Sequence, residues 1–316
     1  MAATTSNEDA VIAKINITPR LGFLSFDLDD TLFPTSRVVN NANDVMVQKM
    51  QQLGFFTTVE EFLQTTREIR SQLHKPITYT ALRKLAIQGE MERLNGTAAK
   101  DPVAVVEEFY NAWLQERHAA AEQYLFSDAI ETLETLQQTY PDVCIAAITN
   151  GAGNPLHMSE RLERLFEFCV SGEDDDVFPH RKPHSGIYQV ALRRYQDLYP
   201  HHCHQHLSED GASANSIRHI WCHVGDCLAN DVAASAACGA YAVWMDTEFG
   251  EETAAARLVT TGDEASNKPQ WSTATASDIQ QRTELANQGK EKVAARIFSL
   301  SKLVDVIDEL LQQNST

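Results

Sequence analysis

Three carboxylates directly follow an apolar segment in the stretch LGFLSFDLDDTLFP, where Asp27, Asp29 and Asp30 occupy three of four positions. Carboxylates at this spacing can bind a hard cation, and one of a pair can attack an electrophile while the other moves a proton. The apolar run before them, residues 21–26, predicts a buried strand of a parallel sheet. Ligands bind beyond the carboxyl ends of such strands, so we expect these acids to share one crevice, where their repulsion requires a cation.

A calcium-binding loop is an alternative interpretation of the same acids. Such a loop needs glycine at its sixth position and glutamate at its twelfth, counted from Asp27. This sequence has Leu32 and Val38 at those positions, so we set the calcium loop aside.

Further polar residues stand where the sequence predicts that other strands and loops of the same sheet end. They are Thr149-Asn150-Gly151 at the end of VCIAAIT, Lys182-Pro183 after a loop, and Gly225-Asp226 after IWCHV, with Asp231 at the start of the next predicted helix. Taken singly, the first group is an ordinary turn, Lys182 a solvated side chain and Asp231 a helix cap. Taken together with the first acids, they favour a functional site.

The elements that must position these residues follow from hydrophobic periodicity. Four amphipathic segments with period 3.6, near residues 41–53, 59–73, 80–94 and 103–125, predict a helical block. Strands and helices alternate after it, which predicts a parallel sheet with crossover helices. We therefore predict an α/β fold, with a Rossmann-like parallel sheet that has helices on both faces, in residues 1–36 and 124–316. An all-helical cap domain is predicted at 37–123, and polar inserts near 200–216 and 248–290, the second a surface excursion.

The charge balance excludes some partners. The 316 residues carry 26 Lys and Arg against 44 Asp and Glu, a formal net charge of -18. Such a chain is repelled by nucleic acid and by anionic membrane surfaces, so we expect neither as a partner. A small anionic substrate would need local positive charge from a metal ion or from a few placed Lys and Arg. The sequence does not predict the oligomeric state.

Cysteine and histidine usage adds little chemistry. The six cysteines form no CxxC pair and are predicted to be reduced thiols. The run HHCHQH, residues 201–206, lacks acids at ligand spacing, so we interpret it as a solvated loop rather than a metal site. No apolar run reaches the roughly 18 residues of a membrane span and no signal peptide is visible, so a cytoplasmic protein is expected. An organelle stays open if a transit peptide was removed.

The ordered set of motifs resembles the haloacid dehalogenase superfamily, in its helical-cap subgroup, over nearly the whole chain. The motif DxDxT alone is only moderately specific, because it arises by chance in some chains of this length. All four motifs in order, each at a predicted strand or loop end, are specific. The resemblance implies a magnesium-dependent phosphate-ester hydrolase with a small-molecule substrate.

Carried onto this sequence, the resemblance assigns a role to each motif. Asp27 is the nucleophile, which forms an aspartyl phosphate, and Asp29 is the general acid and base. Asp27, the backbone carbonyl of Asp29, and Asp226 hold Mg²⁺, and Asp231 orients Lys182 or a metal-bound water.

The phosphoryl group also needs direct protein contacts. The hydroxyl of Thr149, the backbone N–H groups of Asn150 and Gly151, and the Lys182 ammonium are the predicted ligands of its oxygens.

Other functional classes that share these motifs each differ from a phosphatase by a single feature. A dehalogenase of the family lacks the second aspartate, because a halide leaves without a proton, whereas Asp29 is present here. A phosphosugar mutase keeps that aspartate and stays an alternative. A non-catalytic phosphate-binding protein is disfavoured because every reactive position is filled.

Several stretches of the chain, FDLDDTLFPTSRVV and HVGDCLANDVAASAACGAYAVW among them, are similar to the sequences of one branch of this superfamily. That branch includes phosphatases of flavin mononucleotide and of 5-amino-6-(5-phosphoribitylamino)uracil. Pyrimidine 5'-nucleotidases and phosphoglycolate phosphatases share the motifs and are the alternatives. The cap selects the substrate in this architecture. Candidate cap and hinge contacts are Phe33, Arg37, Tyr79 and Arg83, each of which also fits a packing or solvated role.

Overall fold

The structure is a computed structural model that describes residues 16–94, 101–203, 215–246 and 276–315. Six parallel strands form one sheet: β1 Asn16–Phe26, β2 Cys144–Thr149, β3 Phe168–Ser171, β4 Asn215–Gly225, β5 Tyr241–Met245 and β6 Val293–Ile297. Their order is β3-β2-β1-β4-β5-β6. The chain therefore reverses its direction of winding between β1 and β4, and a crevice opens at that point beyond the carboxyl ends of the strands.

The helices of the sheet domain connect and cover the strands. They are α5 Ala129–Thr139, α6 Glu160–Glu163, α7 Ser185–Leu198, α8 Pro200–Cys203, α9 Ala234–Ala237, α10 Ala276–Gly289 and α11 Leu303–Gln313. Four more helices stand between β1 and α5: α1 Thr35–Gln52, α2 Val59–Gln72, α3 Tyr79–Arg93 and α4 Pro102–Gln123. The predicted α/β fold with a helical insertion after the first strand is confirmed.

Alternation along β1 explains how both faces of the sheet are covered. Leu24 and Phe26 pack into one buried cluster, with α5 and α11, while Phe23 packs into another on the opposite face, with α7. The cap has a third cluster of its own, built around Met46, Phe62 and Phe109. A strand with period-2 alternation and apolar residues on both faces is typical of the middle of a parallel sheet.

Two residues that interrupt the apolar run of β1 have specific packing reasons. Gly22 lies at a bulge in the pairing with β4, where a Cβ would stand 2.6 Å from the Tyr195 hydroxyl. Ser25 is fully buried and its Oγ bonds the Trp221 indole and the His223 ring, each at 2.8 Å. β1 also begins at Asn16, earlier than the predicted residue 21, because its first residues pair with β4.

The predicted inserts are only partly visible. Most of the insert near 200–216 and residues 248–275 of the second lie outside the described residues. The rest of the second insert forms α10, so part of the predicted surface excursion is a helix. The predicted boundary between residues 36 and 37 falls inside α1, and the division into domains stays a prediction. Across the described residues, no helix combines the length and the apolar character that crossing a membrane requires.

Candidate active site

Asp27 stands at the mouth of the crevice between β1 and β4. Its backbone N–H donates to the carbonyl of Val224 at 2.8 Å, so the chain still runs beside β4 when the side chain turns into the crevice. The side chain is 10% exposed, and the Lys182 ammonium donates to its Oδ1 at 2.5 Å. One carboxylate oxygen of Asp27 is thus engaged, and the arrangement leaves the other for a ligand.

The hydrogen-bond acceptors of the Lys182 ammonium all belong to the sheet domain. Its buried Nζ donates to Asp27 Oδ1, to Asp231 Oδ1 at 2.8 Å and to the Ile148 carbonyl at 2.8 Å. An ammonium has three hydrogens, so every one of them has an acceptor. Burial opposes its charge, but Asp231 and Asp27 outweigh burial and raise the pKa of Lys182 above its ordinary value. This side chain carries a permanent positive charge into the crevice.

Asp231 faces Lys182 from a π-helical turn, Leu228–Ala233. A close approach makes this possible, because a Cβ on Gly225 would lie 2.4 Å from the Asp231 Cβ, so only glycine fits at the end of β4. The Cys227 N–H donates to Asp231 Oδ2 at 3.0 Å. Burial alone would raise the pKa of Asp231, but Lys182 and then His223 lower it to about 2. Of the interpretations of Asp231, the contact with Lys182 is present in the structure, and a role at a metal-bound water stays a prediction.

Asn150 fixes the loop that carries Lys182. Its side-chain amide donates to the Lys182 carbonyl at 2.9 Å, and its Oδ1 accepts the Lys182 N–H at 2.8 Å. The sequence pattern predicted a role for the backbone N–H of Asn150 only, and these two side-chain hydrogen bonds were not predicted. Thr149 is fully buried beside it, and its Oγ1 accepts a long, 3.4 Å contact from the Gly151 N–H. The structure thus brings all four predicted phosphoryl contacts to the same edge of the sheet as Asp27.

Three carboxylates converge at this mouth. Ligand oxygens of Asp27, Asp226 and Asp231 lie within 4.8 Å of one another, a cluster of the kind that can hold a metal ion. Burial comes first in raising the pKa of Asp27 to about 8 and that of Asp226 well above its usual value, and neighbouring carboxylates add to both. Like charges held this close in a buried site are stabilised by a cation.

The donor set fits Mg²⁺, which prefers hard oxygen ligands. Asp231 is already bound to Lys182 and to the Cys227 N–H, which leaves Asp27 and Asp226 as the side chains with oxygen to spare. Among the described residues, the Asp226 carboxylate has no hydrogen-bond or ion-pair partner. The side chain of Asp29 does not join the cluster, so its predicted part in metal binding depends on its backbone carbonyl alone.

Asp29 is instead held from the cap. Nη2 of Arg117, on α4, donates to both Asp29 oxygens at 2.9 and 3.1 Å. The Arg117 side chain is 4% exposed and that of Asp29 30%. Thr35 Oγ1 adds a 3.3 Å contact to Asp29. The contact of Arg117 was not predicted from the sequence, because it joins residues 88 positions apart. Arg117 is the only Lys or Arg of α4, and that is the signal that could have found it.

The predicted cap and hinge contacts divide into three groups. Phe33 is fully buried in the sheet domain, which supports its hinge-packing role and removes it from contact with a ligand. Arg37 is exposed and lies over the Tyr124 ring. Tyr79 contacts the sheet domain, because the Arg181 guanidinium sits 4.5 Å from its ring centre, whereas Arg83 contacts Asn43 and Trp113 of the cap.

The cap is docked on the sheet domain through the start of α3. The backbone N–H of Thr80 donates to Glu173 Oε1 at 3.0 Å, and the Thr80 hydroxyl donates to Oε2 at 2.5 Å. A carboxylate at a helix N-terminus satisfies free N–H groups and complements the helix dipole. Glu173 follows β3, so it performs for a cap helix the capping that a residue of the same helix normally performs.

Comparison with known proteins decides the family. The profile of haloacid dehalogenase-like hydrolases matches residues 24–239, which include every candidate site residue above. The chain belongs to this family. Its members are hydrolases, and the predicted resemblance is confirmed at that level.

Two known proteins, one a phosphatase and one a dehalogenase, are similar to this chain. A ribulose-1,5-bisphosphate 5-phosphatase of Halopiger xanaduensis is 25% identical over 230 residues, 70% of this chain and 83% of its own. The solved structure of a 2-haloacid dehalogenase from Pseudomonas syringae pv. Tomato DC3000 has a TM-score of 0.59 and 21% identity, and covers 92% of this chain and 99% of that one. At that identity, the second likeness shows the fold.

Proposed function

We propose that this hydrolase is a magnesium-dependent phosphomonoesterase that forms an aspartyl phosphate on Asp27. The observation that carries the proposal is the pair Asp27 and Asp29, two residues apart and held in different ways. Asp27 lies buried beside Lys182, as suits a nucleophile. Asp29 is partly exposed at the cap boundary, as suits a group that exchanges protons with a leaving group and with water.

The reaction has two displacements at phosphorus. A carboxylate oxygen of Asp27 attacks, the bond from phosphorus to the ester oxygen breaks, and Asp29 donates a proton to the departing alkoxide. Water then attacks the acyl phosphate, Asp29 takes its proton, and phosphate leaves with the Asp27 carboxylate restored. Lys182 and the N–H groups at Asn150 and Gly151 stabilise the phosphoryl oxygens throughout. Mg²⁺, held by Asp27 and Asp226, supplies further positive charge at those oxygens when bound.

We propose a small phosphate ester with a five-carbon sugar or polyol chain as the substrate class. The sequence motifs suggest flavin mononucleotide and 5-amino-6-(5-phosphoribitylamino)uracil, whose ribityl chains end in the phosphate. The curated relative acts on ribulose-1,5-bisphosphate, which has a five-carbon chain as well. A cap that covers the mouth and contacts the leaving group would exclude polymers, so we expect proteins and nucleic acids to be poor substrates.

The metal requirement is tested with p-nitrophenyl phosphate. We expect turnover with Mg²⁺, none after EDTA treatment, and inhibition by Ca²⁺. Ca²⁺ accepts more ligands and bidentate carboxylates, so it would engage both oxygens of Asp27 and block its attack. Full turnover in EDTA would contradict the metal assignment. Absence of turnover with every divalent cation would contradict the phosphatase itself.

The substrate class is tested by comparing kcat/KM across a panel. It contains the three five-carbon esters, pyrimidine nucleotides, phosphoglycolate and hexose phosphates. A tenfold advantage of phosphoglycolate or a hexose phosphate over every five-carbon ester, about 1.4 kcal/mol in transition-state binding, would overturn the substrate class and leave the phosphatase assignment intact.

A further inference from the structure

Two arginine side chains of the cap lie near each other at the boundary that Asp29 faces. Arg83 is on α3 and Arg117 on α4. The Arg83 guanidinium lies over the ring of Trp113, which stands one turn before Arg117 on the same face of α4. Burial, with Arg117 as a further cause, lowers the pKa of Arg83 to about 9. Arg83 is still cationic at neutral pH. The cap therefore presents two positive charges beside the group that serves the leaving oxygen.

The cap interior holds Arg83 in place. Its guanidinium lies 3.8 Å from the centre of the Trp113 ring, and its Nη1 donates to Asn43 Oδ1 at 2.9 Å. The Trp113 indole donates to the same oxygen at 3.0 Å, and Asn43 is fully buried. This contact uses one of the five N–H hydrogens of Arg83. Within the described residues, Arg83 has no carboxylate partner.

Arg117 has hydrogen-bonding capacity to spare in a more buried position. Nη2 binds Asp29, while Nη1 is buried and has no partner among the described residues. The guanidinium packs on the loop after β2, where a Cβ on Gly153 would lie 2.3 Å from Nη1. A buried N–H group without an acceptor costs about 1–3 kcal/mol, so this N–H would gain from an acceptor that a bound anion brings.

Other acids at this boundary do not neutralise the pair. Glu173 lies close enough to act on Arg83, but Thr80 occupies both of its oxygens. Asp29 pairs with Arg117 and not with Arg83, and it is the proposed group for proton transfer. Guanidinium groups match phosphate and carboxylate through paired N–H donors, and this match is strongest where water is excluded.

We propose that Arg83 and Arg117 bind a second anionic group, a phosphate or a carboxylate, on the leaving-group side of the substrate. The proposal deepens the proposed function and rests on it. Among the five-carbon esters it selects those with an anion at the far end of the chain. A substrate without that group meets two uncompensated cations and binds more weakly.

The test compares matched substrate pairs in the full-length protein with Mg²⁺. One pair is ribulose 1,5-bisphosphate and ribulose 5-phosphate, and the other is phosphoglycolate and 2-hydroxyethyl phosphate. In each pair, the first member has the second anion and the other lacks it. We expect wild-type kcat/KM to favour the anion-bearing member of at least one pair by tenfold or more. The pair that shows the preference tells whether phosphate or carboxylate is bound.

Variants at neighbouring positions then assign the preference to the arginine pair. Arg83→Met should reduce the preference at least tenfold, and Arg83→Lys should restore part of it. Lys84→Met is the matched control, because Lys84 is the next residue of α3 but pairs with Glu107. It should leave the preference unchanged. A general folding defect lowers kcat/KM for both members of a pair, so it does not change the ratio between them.

Direct binding gives an independent measurement. In an Asp27→Asn background, ribulose 1,5-bisphosphate should bind at least tenfold more weakly once Arg83→Met is added, as measured by calorimetry. Turnover of p-nitrophenyl phosphate without any preference in either pair would overturn this inference and leave the phosphatase assignment standing. So would a preference that Arg83→Met does not change. Absence of p-nitrophenyl phosphate turnover would instead refute the proposed function.

Discussion

Asp27 and Asp29 lie two residues apart, yet different parts of the molecule hold them. Asp27 is bound by Lys182, which the sheet domain alone positions through Asp231, the Ile148 carbonyl and the side chain of Asn150. Asp29 is bound by Arg117, which the cap supplies. Every partner of the first aspartate is thus present whatever the cap does, while the main partner of the second arrives only when the cap is docked.

The sheet domain thus preorganises Asp27, whereas the surroundings of Asp29 depend on the cap. A nucleophile held by buried groups of a rigid sheet needs no rearrangement before it reacts. Asp29, the proposed proton donor, is held by a residue of the helical insertion, so a movement of that insertion would change the surroundings of Asp29 and leave the Lys182 contact of Asp27 in place. Substitutions at the two positions should therefore have effects of different size and different substrate dependence.

The largest expected effect is at Asp27. Asp27→Asn removes the attacking carboxylate, so turnover of every ester should fall by about 10⁴-fold or more, whatever the leaving group. Steady-state kinetics on an alkyl and an aryl phosphate measures this. Appreciable turnover of either ester by the purified variant would show that another group is the nucleophile.

The next effect distinguishes the two aspartates. Asp29→Asn should slow phosphorylation by alkyl phosphates about 10²–10⁴-fold and by aryl phosphates much less, because a good leaving group departs without a proton. Single-turnover kinetics isolates this step. Asp30→Asn, one residue away, is the control and should leave the alkyl-to-aryl ratio unchanged. Equal loss for both esters would contradict the assigned role of Asp29.

A stability measurement tests how firmly the sheet domain holds its site. Asp231→Asn leaves the buried Lys182 with one carboxylate fewer, so the free energy of unfolding should fall by about 3–5 kcal/mol. The control is Asp305→Asn in the exposed pair with Lys302, for which less than about 1 kcal/mol is expected. Denaturant titration of both variants provides the values. Equal losses would show that burial does not set the strength of the Lys182 contacts.

The smallest effect concerns the cap side. Burial, with Arg117 and His157 as further causes, lowers the pKa of His118 to about 4. The unfolded chain then binds more protons below its own value of about 6.5, so stability should fall as pH drops from 6.5 to about 4. His118→Gln should remove part of this slope, about 1 kcal/mol after allowing for partial exposure. His74→Gln, at an exposed cap position, is the control; an unchanged slope in His118→Gln would contradict the assignment.

The sequence predicted the elements of the site whose signal is local. Apolar runs followed by acids or by Thr149-Asn150-Gly151 mark strand ends, and the parallel sheet brings those ends to one edge, as expected. The alternation of strands and helices predicted the fold for the same reason. These features depend on neighbours in sequence and on the rules of sheet winding.

Contacts that depend on the docking of one element on another were not predictable. Arg117 is the only Lys or Arg of α4, but its pairing with Asp29 depends on the orientation of the cap, which no sequence pattern shows. The Asn150 clamp on Lys182 depends on how a loop folds back. Phe33 was a candidate ligand contact because aromatic residues fit both a binding surface and a core, and only packing distinguishes them.

The order of strands in the sheet has a consequence for biosynthesis. β1 is made first, yet its two neighbours, β2 and β4, begin at residues 144 and 215. When the ribosome has completed α4, the cap helices can already pack around their own buried cluster, while β1 has no strand to pair with. The apolar segment LGFLSF of the nascent chain therefore lacks its first partner strand until β2 is made and its second until β4 is made, which exposes it to chaperones and to aggregation. The helical insertion, which folds from local contacts, lengthens the chain that must be made between β1 and its first partner strand, β2.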